Sequence, residues 1–214
     1  MTPAAESRRV DVGGLSLDCR IAGSGPLVVL LHGFPQSSHA WRRQIPALAE
    51  RFTVAAPDLR GYGASDKPPR VMDYAVDKLA GDVAGLIRAL GFSKASVVGH
   101  DWGGSVAWHL GIRRPDVVER LAVINCAHPS AFGRVPRENP RQLLRSWYMF
   151  AVQVPWLPER LLLAGDGALI RRVFRRTTER PGCITDEDAD AYVAALSAPG
   201  AMRAALNYYR AAFR

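Results

Sequence analysis

Val97-Val98-Gly99-His100-Asp101-Trp102-Gly103-Gly104 is the stretch whose reading decides the fold of this chain. An apolar run, Ala95 to Val98, leads into it, and a helical-looking run, Ser105-Val106-Ala107-Trp108-His109-Leu110, leads out. That pattern predicts strand, tight turn and helix, with Asp101 at the apex. At such an elbow the apical residue takes a backbone conformation that few side chains accept. Strand and helix can close on it only where their nearby residues lack bulk, as Gly99, Gly103 and Gly104 do. The geometry aims the Asp101 side chain outward, at the carboxyl end of a sheet and the N-terminus of a helix. A carboxylate is ionised at neutral pH and can attack carbon without a helping base. Taken alone, Asp101 reads equally well as a helix cap. Its neighbours decide.

Working outward, the chain has 214 residues, 48% hydrophobic and 22% charged, enough for one good core with room for a small appended unit. No apolar run is long enough to cross a bilayer, and Met1 to Arg9 lacks an apolar signal core, so neither membrane nor export is expected. Cys19, Cys126 and Cys183 are scattered and odd in number, without metal spacing; they fit a reducing, cytoplasmic setting. The net charge is +8 and the isoelectric point near 9.9. The basic residues are nearly all Arg, interleaved with acids, and the densest cluster (Arg171, Arg172, Arg175, Arg176) has the spacing of a solvated helix face. Nucleic acid is not an expected partner.

Val10 to Ala22 alternates around Gly13-Gly14 as a hairpin would, and Leu27 to Leu31 reads as a strand buried on both faces, ending in His32-Gly33-Phe34-Pro35. Ser37-Ser38 caps an expected helix to about Glu50, and Phe52 to Ala56 is a buried strand ending at Pro57-Asp58. Tyr74 to Leu90 has a helical period, and Leu121 to Asn125 is one further strand. Alternating strands and helices predict an α/β fold with a mostly parallel sheet, whose ligands gather at the carboxyl ends of the strands. After Pro129 the character changes: Leu143–Val154, Leu161–Val173, Asp186–Leu196 and Met202–Phe213 read as helices without strands between them. The expected division is a core over 1–131 and a helical cap over 132–214.

His32-Gly33-Phe34-Pro35, Asp58-Leu59-Arg60-Gly61-Tyr62-Gly63-Ala64-Ser65 and Gly99-His100-Asp101-Trp102-Gly103-Gly104 stand in the order and spacing of one family. The chain resembles the α/β-hydrolases of the epoxide hydrolase and haloalkane (fluoroacetate) dehalogenase branch, from about Val10 to Arg214. The resemblance implies that Asp101 attacks an epoxide carbon, forming an alkyl-enzyme ester, with neither metal nor cofactor. It implies an oxyanion hole from the backbone N–H groups of Phe34 and Trp102, and a cis peptide bond before Pro35. Ring opening leaves an alkoxide, which a phenol can protonate. The family's two cap tyrosines map to Tyr148, in Ser146-Trp147-Tyr148-Met149-Phe150, and to Tyr209, in Leu206-Asn207-Tyr208-Tyr209-Arg210, where Tyr208 replaces a frequent Trp. Phe34, Pro35, Trp102, Trp147 and Phe150, with Trp156, are expected to line an apolar pocket for a small epoxide or halide-bearing substrate. His100 is expected to be a support, Asp58 and Asp66 to stabilise turns, and Tyr192 to be a core aromatic.

Dehalogenases acting on fluoroacetate tend to carry Arg directly after the nucleophile; Trp102 stands there, which favours epoxide hydrolysis over halide displacement, the alternative within enzymes. The family's hydrolytic step also needs a His base lying beyond the cap. No His follows His128, and the sequence stops at Arg214. The chain is therefore expected to be C-terminally truncated relative to the family, to lack the last core strands, and to accumulate the ester. A homo-oligomer or a complementing chain is left open as a partner. A non-catalytic remnant is the alternative from another class.

Overall fold

The computed structural model describes residues 5–132, 146–178, 180 and 182–214. The hairpin forms as read: β1 (Glu6–Asp11) and β2 (Ser16–Ala22) pair antiparallel with Val10 opposite Leu17. Its turn is closed by Asp11, whose carboxylate accepts the N–H groups of Gly13 and Gly14 at 2.7 and 3.0 Å. Four further strands follow: β3 (Leu27–Leu31), β4 (Thr53–Pro57), β5 (Ala95–His100) and β6 (Val118–Ile124). The sheet order is β1-β2-β4-β3-β5-β6, and β3 to β6 run parallel. From β3 the chain moves outward to β4, then returns across the sheet to β5 and on to β6. Strands β3 and β5 are thus neighbours at the point where the winding reverses, and the crevice at their carboxyl ends is where an open α/β sheet offers a ligand site.

Strand β3 is buried along its whole length because both faces are covered. Its odd-numbered residues Leu27, Val29 and Leu31 pack in one core with α2 (Val76–Ala89) and α3 (Trp102–Arg113). The even-numbered Val28 and Leu30 pack in another with Trp41, Ile45 and Ala49. Each such side chain contributes about 1.5–3 kcal/mol when fully buried. The helix expected over residues 38–50 is instead a 3-10 turn, Ser38–Trp41, and a short α1, Gln44–Ala49. Pro46 explains the break: without an N–H it is accommodated only in the first turn of a helix, so α1 has to begin just before it.

β6 forms one edge of the sheet, with Glu119, Arg120, Ala122 and Ile124 exposed. The described segments beyond it are helical: α4 (Pro129–Phe132), α5 (Trp147–Ala151), α6 (Leu157–Thr177), α7 (Asp186–Ser197) and α8 (Ala201–Ala211). The N-terminal part of the helix expected over 143–154 lies outside the described residues. Helix α6 is longer than its hydrophobic period suggested but is broken at Ala164–Gly167, where Gly165, Asp166 and Gly167 have positive φ. In the Arg cluster Arg172, Arg175 and Arg176 are exposed as expected, while Arg171 is partly covered and pairs with Asp166 and Asp190; Arg175 pairs with Asp186.

Two polar attachments bind these helices to the sheet layer. On α7, Asp188 caps its own helix through Thr185 and also holds His39 (2.8 Å) and Arg42 from the 3-10 segment. On α8, the hydroxyl of buried Tyr208 donates to the Arg60 carbonyl at 2.7 Å. Arg60 in turn forks onto Asp82 of α2 at 2.7 and 2.5 Å. The ladder α8–Arg60–α2 sets the height of α8 above the crevice.

Candidate active site

Asp101 stands at the carboxyl end of β5 with φ 53° and ψ −118°, a conformation that costs of order 1–3 kcal/mol in a residue other than glycine. The surrounding bonds hold it there. Its N–H donates to the Ile124 carbonyl at 3.2 Å, and its carbonyl accepts from Ser105 at 3.0 Å in the first turn of α3. The glycines do what the sequence pattern requires. A Cβ on Gly99 would lie 2.2 Å from the Gly103 carbonyl oxygen, and one on Gly103 would lie 2.4 Å from the Leu31 oxygen. Gly33 matters equally: a Cβ there would meet the Asp101 Cβ at 2.4 Å. Helix, strand and the His32-Gly33 loop converge so closely on Asp101 that only hydrogen atoms fit between them.

Two backbone N–H groups expected as oxyanion donors lie next to Asp101. The Phe34 N–H donates to Asp101 Oδ1 at 2.9 Å. Trp102 is the first residue of α3, so its N–H has no acceptor within the helix. The Phe34–Pro35 peptide bond is cis, as expected. His32, at the end of β3, is fully buried and accepts the Leu59 N–H on Nε2 at 3.0 Å. Its Nδ1 therefore carries the hydrogen facing the Gly33 carbonyl, 3.1 Å away. Burial pushes the His32 pKa down, against the pull of Asp58, so the ring is a neutral brace joining two loops. Asp58 accepts the Ser38 N–H at 2.7 Å, and Asp66 accepts that of Ser16 at 2.8 Å; both stabilise loops as expected.

Tyr209, expected as a phenol donor, belongs to α8. On α8 it is 6% exposed, its ring edge-on to Trp102 at 5.0 Å and to Phe34 at 5.7 Å between centroids. Tyr148 on α5 reaches the same spot from another direction, its ring 6.0 Å from that of Tyr209. It is half-exposed. Burial, then the negative charge of Asp101, push both phenols above their ordinary pKa; for Tyr209 the Trp102 side chain offsets this in part. Both shifts favour the protonated phenol. A phenol whose folded pKa lies above the unfolded 10.0 keeps its proton when the unfolded chain has lost it, so stability is intact below pH 10.0 and drains above it. Thermal melts from pH 8 to 12 should fall only beyond about 10, and Tyr209→Phe should soften that fall.

Two predicted pocket residues are placed differently. Trp147 and Phe150 are 67% and 54% exposed, and Phe150 packs edge-on against Phe213 rather than toward Asp101. The reason is the shortness of α5: a helix of five residues can turn Tyr148 inward only by turning its neighbours elsewhere. Trp156 is also exposed, at 63%. Tyr192 is core, as read, stacked near Phe174. The other imidazoles are committed elsewhere: His39 to Asp188, His100 to Gln36 at 3.1 Å, His128 to Ser130 at 2.7 Å. His109 lies along α3. Among the described residues no group of three or more His, Cys, Asp or Glu is arranged to hold a metal, and no helix is long and apolar enough to cross a membrane.

An acid thus stands on a strained strand-to-helix turn, opposite a backbone N–H from the end of the neighbouring strand. A model of the α/β hydrolase fold matches residues 26–172. The chain belongs to the α/β-hydrolase fold family. Within it, the chain is 42% identical over 205 residues to the AB hydrolase superfamily protein YfhM of Bacillus subtilis, covering 94% of this chain and 71% of that one. It is 38% identical to human epoxide hydrolase 4 over 211 residues, spanning 58% of that protein's length. To the soluble epoxide hydrolase of Corynebacterium sp. (strain C12) it is 38% identical over 207 residues, covering 95% of this chain and 71% of that protein. Among solved structures, a Bacillus megaterium epoxide hydrolase in complex with an inhibitor superposes with a TM-score of 0.89 at 33% identity, over 95% of this chain and 71% of that one. A putative acyltransferase from Salmonella enterica superposes with 0.90 at 34% identity, over 99% and 71%. This α/β-hydrolase thus has epoxide hydrolase relatives in both sequence and structure.

Proposed function

We propose that this α/β-hydrolase opens small apolar epoxides through an ester on Asp101, with the helices after residue 132 acting as a cap over the site. One observation carries the reading: the rings of Tyr148 and Tyr209 meet 6.0 Å apart, both phenols within the field of Asp101, whose Oδ1 accepts the Phe34 N–H. In the first step an Asp101 oxygen forms a bond to a ring carbon, that carbon's bond to the epoxide oxygen breaks, and the oxygen takes a proton from a phenol. The product is a hydroxyalkyl ester and a phenolate, which solvent reprotonates. In the second step water would add to the ester carbonyl, with the Phe34 and Trp102 N–H groups receiving the developing oxyanion. That step needs a base; His32, His39, His100 and His128 each have a ring nitrogen bonded to another group, and His109 lies along α3. On this reading none of them is a dedicated base for the ester, and residues 1–214 are expected to carry out the alkylation half and to hold the ester.

The test is the intact mass of the protein after incubation with a terminal epoxide such as styrene oxide. A lasting adduct of the epoxide's mass on Asp101 supports the reading, and no adduct on folded protein sinks it. Tyr209→Phe should slow adduct formation by about a hundredfold, the low end for a positioned general acid, and Tyr148→Phe should act in the same direction. Time courses of adduct mass measure both. Loss of neither phenol mattering would shift the reading to halide displacement.

A further inference from the structure

We infer that Arg210 is the residue that positions the two phenols against each other, an assignment that rests on the function proposed above. Tyr148 and Tyr209 lie on separate short helices, and α5 contains no buried residue, so packing alone does not locate Tyr148. Polar bonds do. Arg210 follows Tyr209 in the chain and is 6% exposed. Its Nε donates to the Val152 carbonyl at 3.0 Å and its Nη2 to the Val154 carbonyl at 2.9 Å, both just past the end of α5. Its Nη1 donates to Glu159 at 2.7 Å and to Asn207 at 3.3 Å. Gln153 adds a parallel link, its side-chain amide donating to the carbonyls of Met149 (3.0 Å) and Tyr209 (3.3 Å).

The guanidinium thus closes the end of one tyrosine helix onto the other. Its planar fork reaches two carbonyls and a carboxylate at once, which an ammonium, a point donor on a flexible stem, does not reproduce. With the clamp gone, α5 keeps the Gln153 link, Val152, Met149 and the Phe150–Phe213 ring contact, none of which engages the Val152 and Val154 carbonyls, and Tyr148 swings toward solvent. Arg210 touches no reacting atom; it acts through the phenols.

Arg210→Lys separates this role from simple support of the fold. Tyrosines replaced by 3-fluorotyrosine, with Tyr148→Phe and Tyr209→Phe to assign the two resonances, report the rings by fluorine NMR. The Tyr148 resonance should move to the position of a solvent-exposed tyrosine while circular dichroism stays unchanged. Alkylation of Asp101 by styrene oxide should fall about tenfold or more, because the opening oxygen loses a proton donor. Alkylation by 1-iodobutane should not change: its carbon–iodine bond breaks with the electron pair leaving as iodide, which needs no proton. An unmoved Tyr148 resonance, or equal slowing of both electrophiles, overturns the assignment. If the unsubstituted protein takes no adduct from either electrophile, the proposed function fails, and the fluorine spectrum alone decides Arg210. Should Arg210→Lys not fold, Glu159→Gln, which weakens the carboxylate that holds the Arg210 fork, is judged by the same readouts.

Discussion

Asp101→Asn is expected to lose adduct formation with epoxides entirely, a fall of at least about a thousandfold in the rate at which the mass of the protein shifts, as removal of a nucleophile does elsewhere. The amide keeps the size of the side chain and one oxygen that can still accept the Phe34 N–H, so the bond of 2.9 Å survives on that side. It also tolerates positive φ, which Asp101 adopts at 53°. The variant should therefore fold and melt within about 1 kcal/mol of the parent. What it lacks is a negative oxygen with a free electron pair for carbon. Mass spectrometry on parent and variant, with the modified residue located after proteolysis, distinguishes the outcomes. Persistent labelling at another residue would remove Asp101 from the centre of the mechanism.

Gly99→Ala is expected to lower stability by about 3 kcal/mol, at the upper end for overpacking, because the new methyl meets backbone and not a yielding side chain. It would lie 2.2 Å from the Gly103 oxygen, 2.6 Å from its carbon and 2.8 Å from the Gly104 Cα. Relief requires moving the whole first turn of α3 off β5. For a chain of this size that corresponds to a midpoint about 6–12 °C lower. Gly81→Ala is the contrasting control: it sits within α2 and its added Cβ meets nothing within 4 Å. There the gain in helix propensity should stabilise by about 0.5–1 kcal/mol. Calorimetry of the pair reads both signs. A tolerated Gly99→Ala would mean that helix and strand are not locked at the elbow.

The parts of the site that lie close together in sequence were legible before any coordinates. The elbow around Asp101 announces itself because three small residues within six positions have one economical explanation, close approach of a helix to a strand. Tyr148 and Tyr209 were found through resemblance of their segments, not through any local rule, since a tyrosine amid apolar neighbours reads equally well as core; Tyr192 is such a case. The direction in which Trp147 and Phe150 point was not legible. Helix period assigns a face only over several turns, and α5 has five residues.

Local chemistry thus determined the succession of strands and helices, the conformation of Asp101 and the supply of a backbone N–H at Phe34. Those features are announced by residues within a few positions of one another, where sterics and turn geometry act, although Gly33 and the Leu31 carbonyl close on the elbow from a distant part of the chain. Tertiary structure decided which polar groups meet across the chain: Asp188 with His39 and Arg42, Tyr208 with the Arg60 carbonyl, Arg210 with the carbonyls that end the Tyr148 helix. In the first two pairings the partners lie well over a hundred residues apart, and in the third more than fifty. A charge or hydroxyl buried on a helix demands a partner, but sequence does not say which carbonyl folding will bring to it.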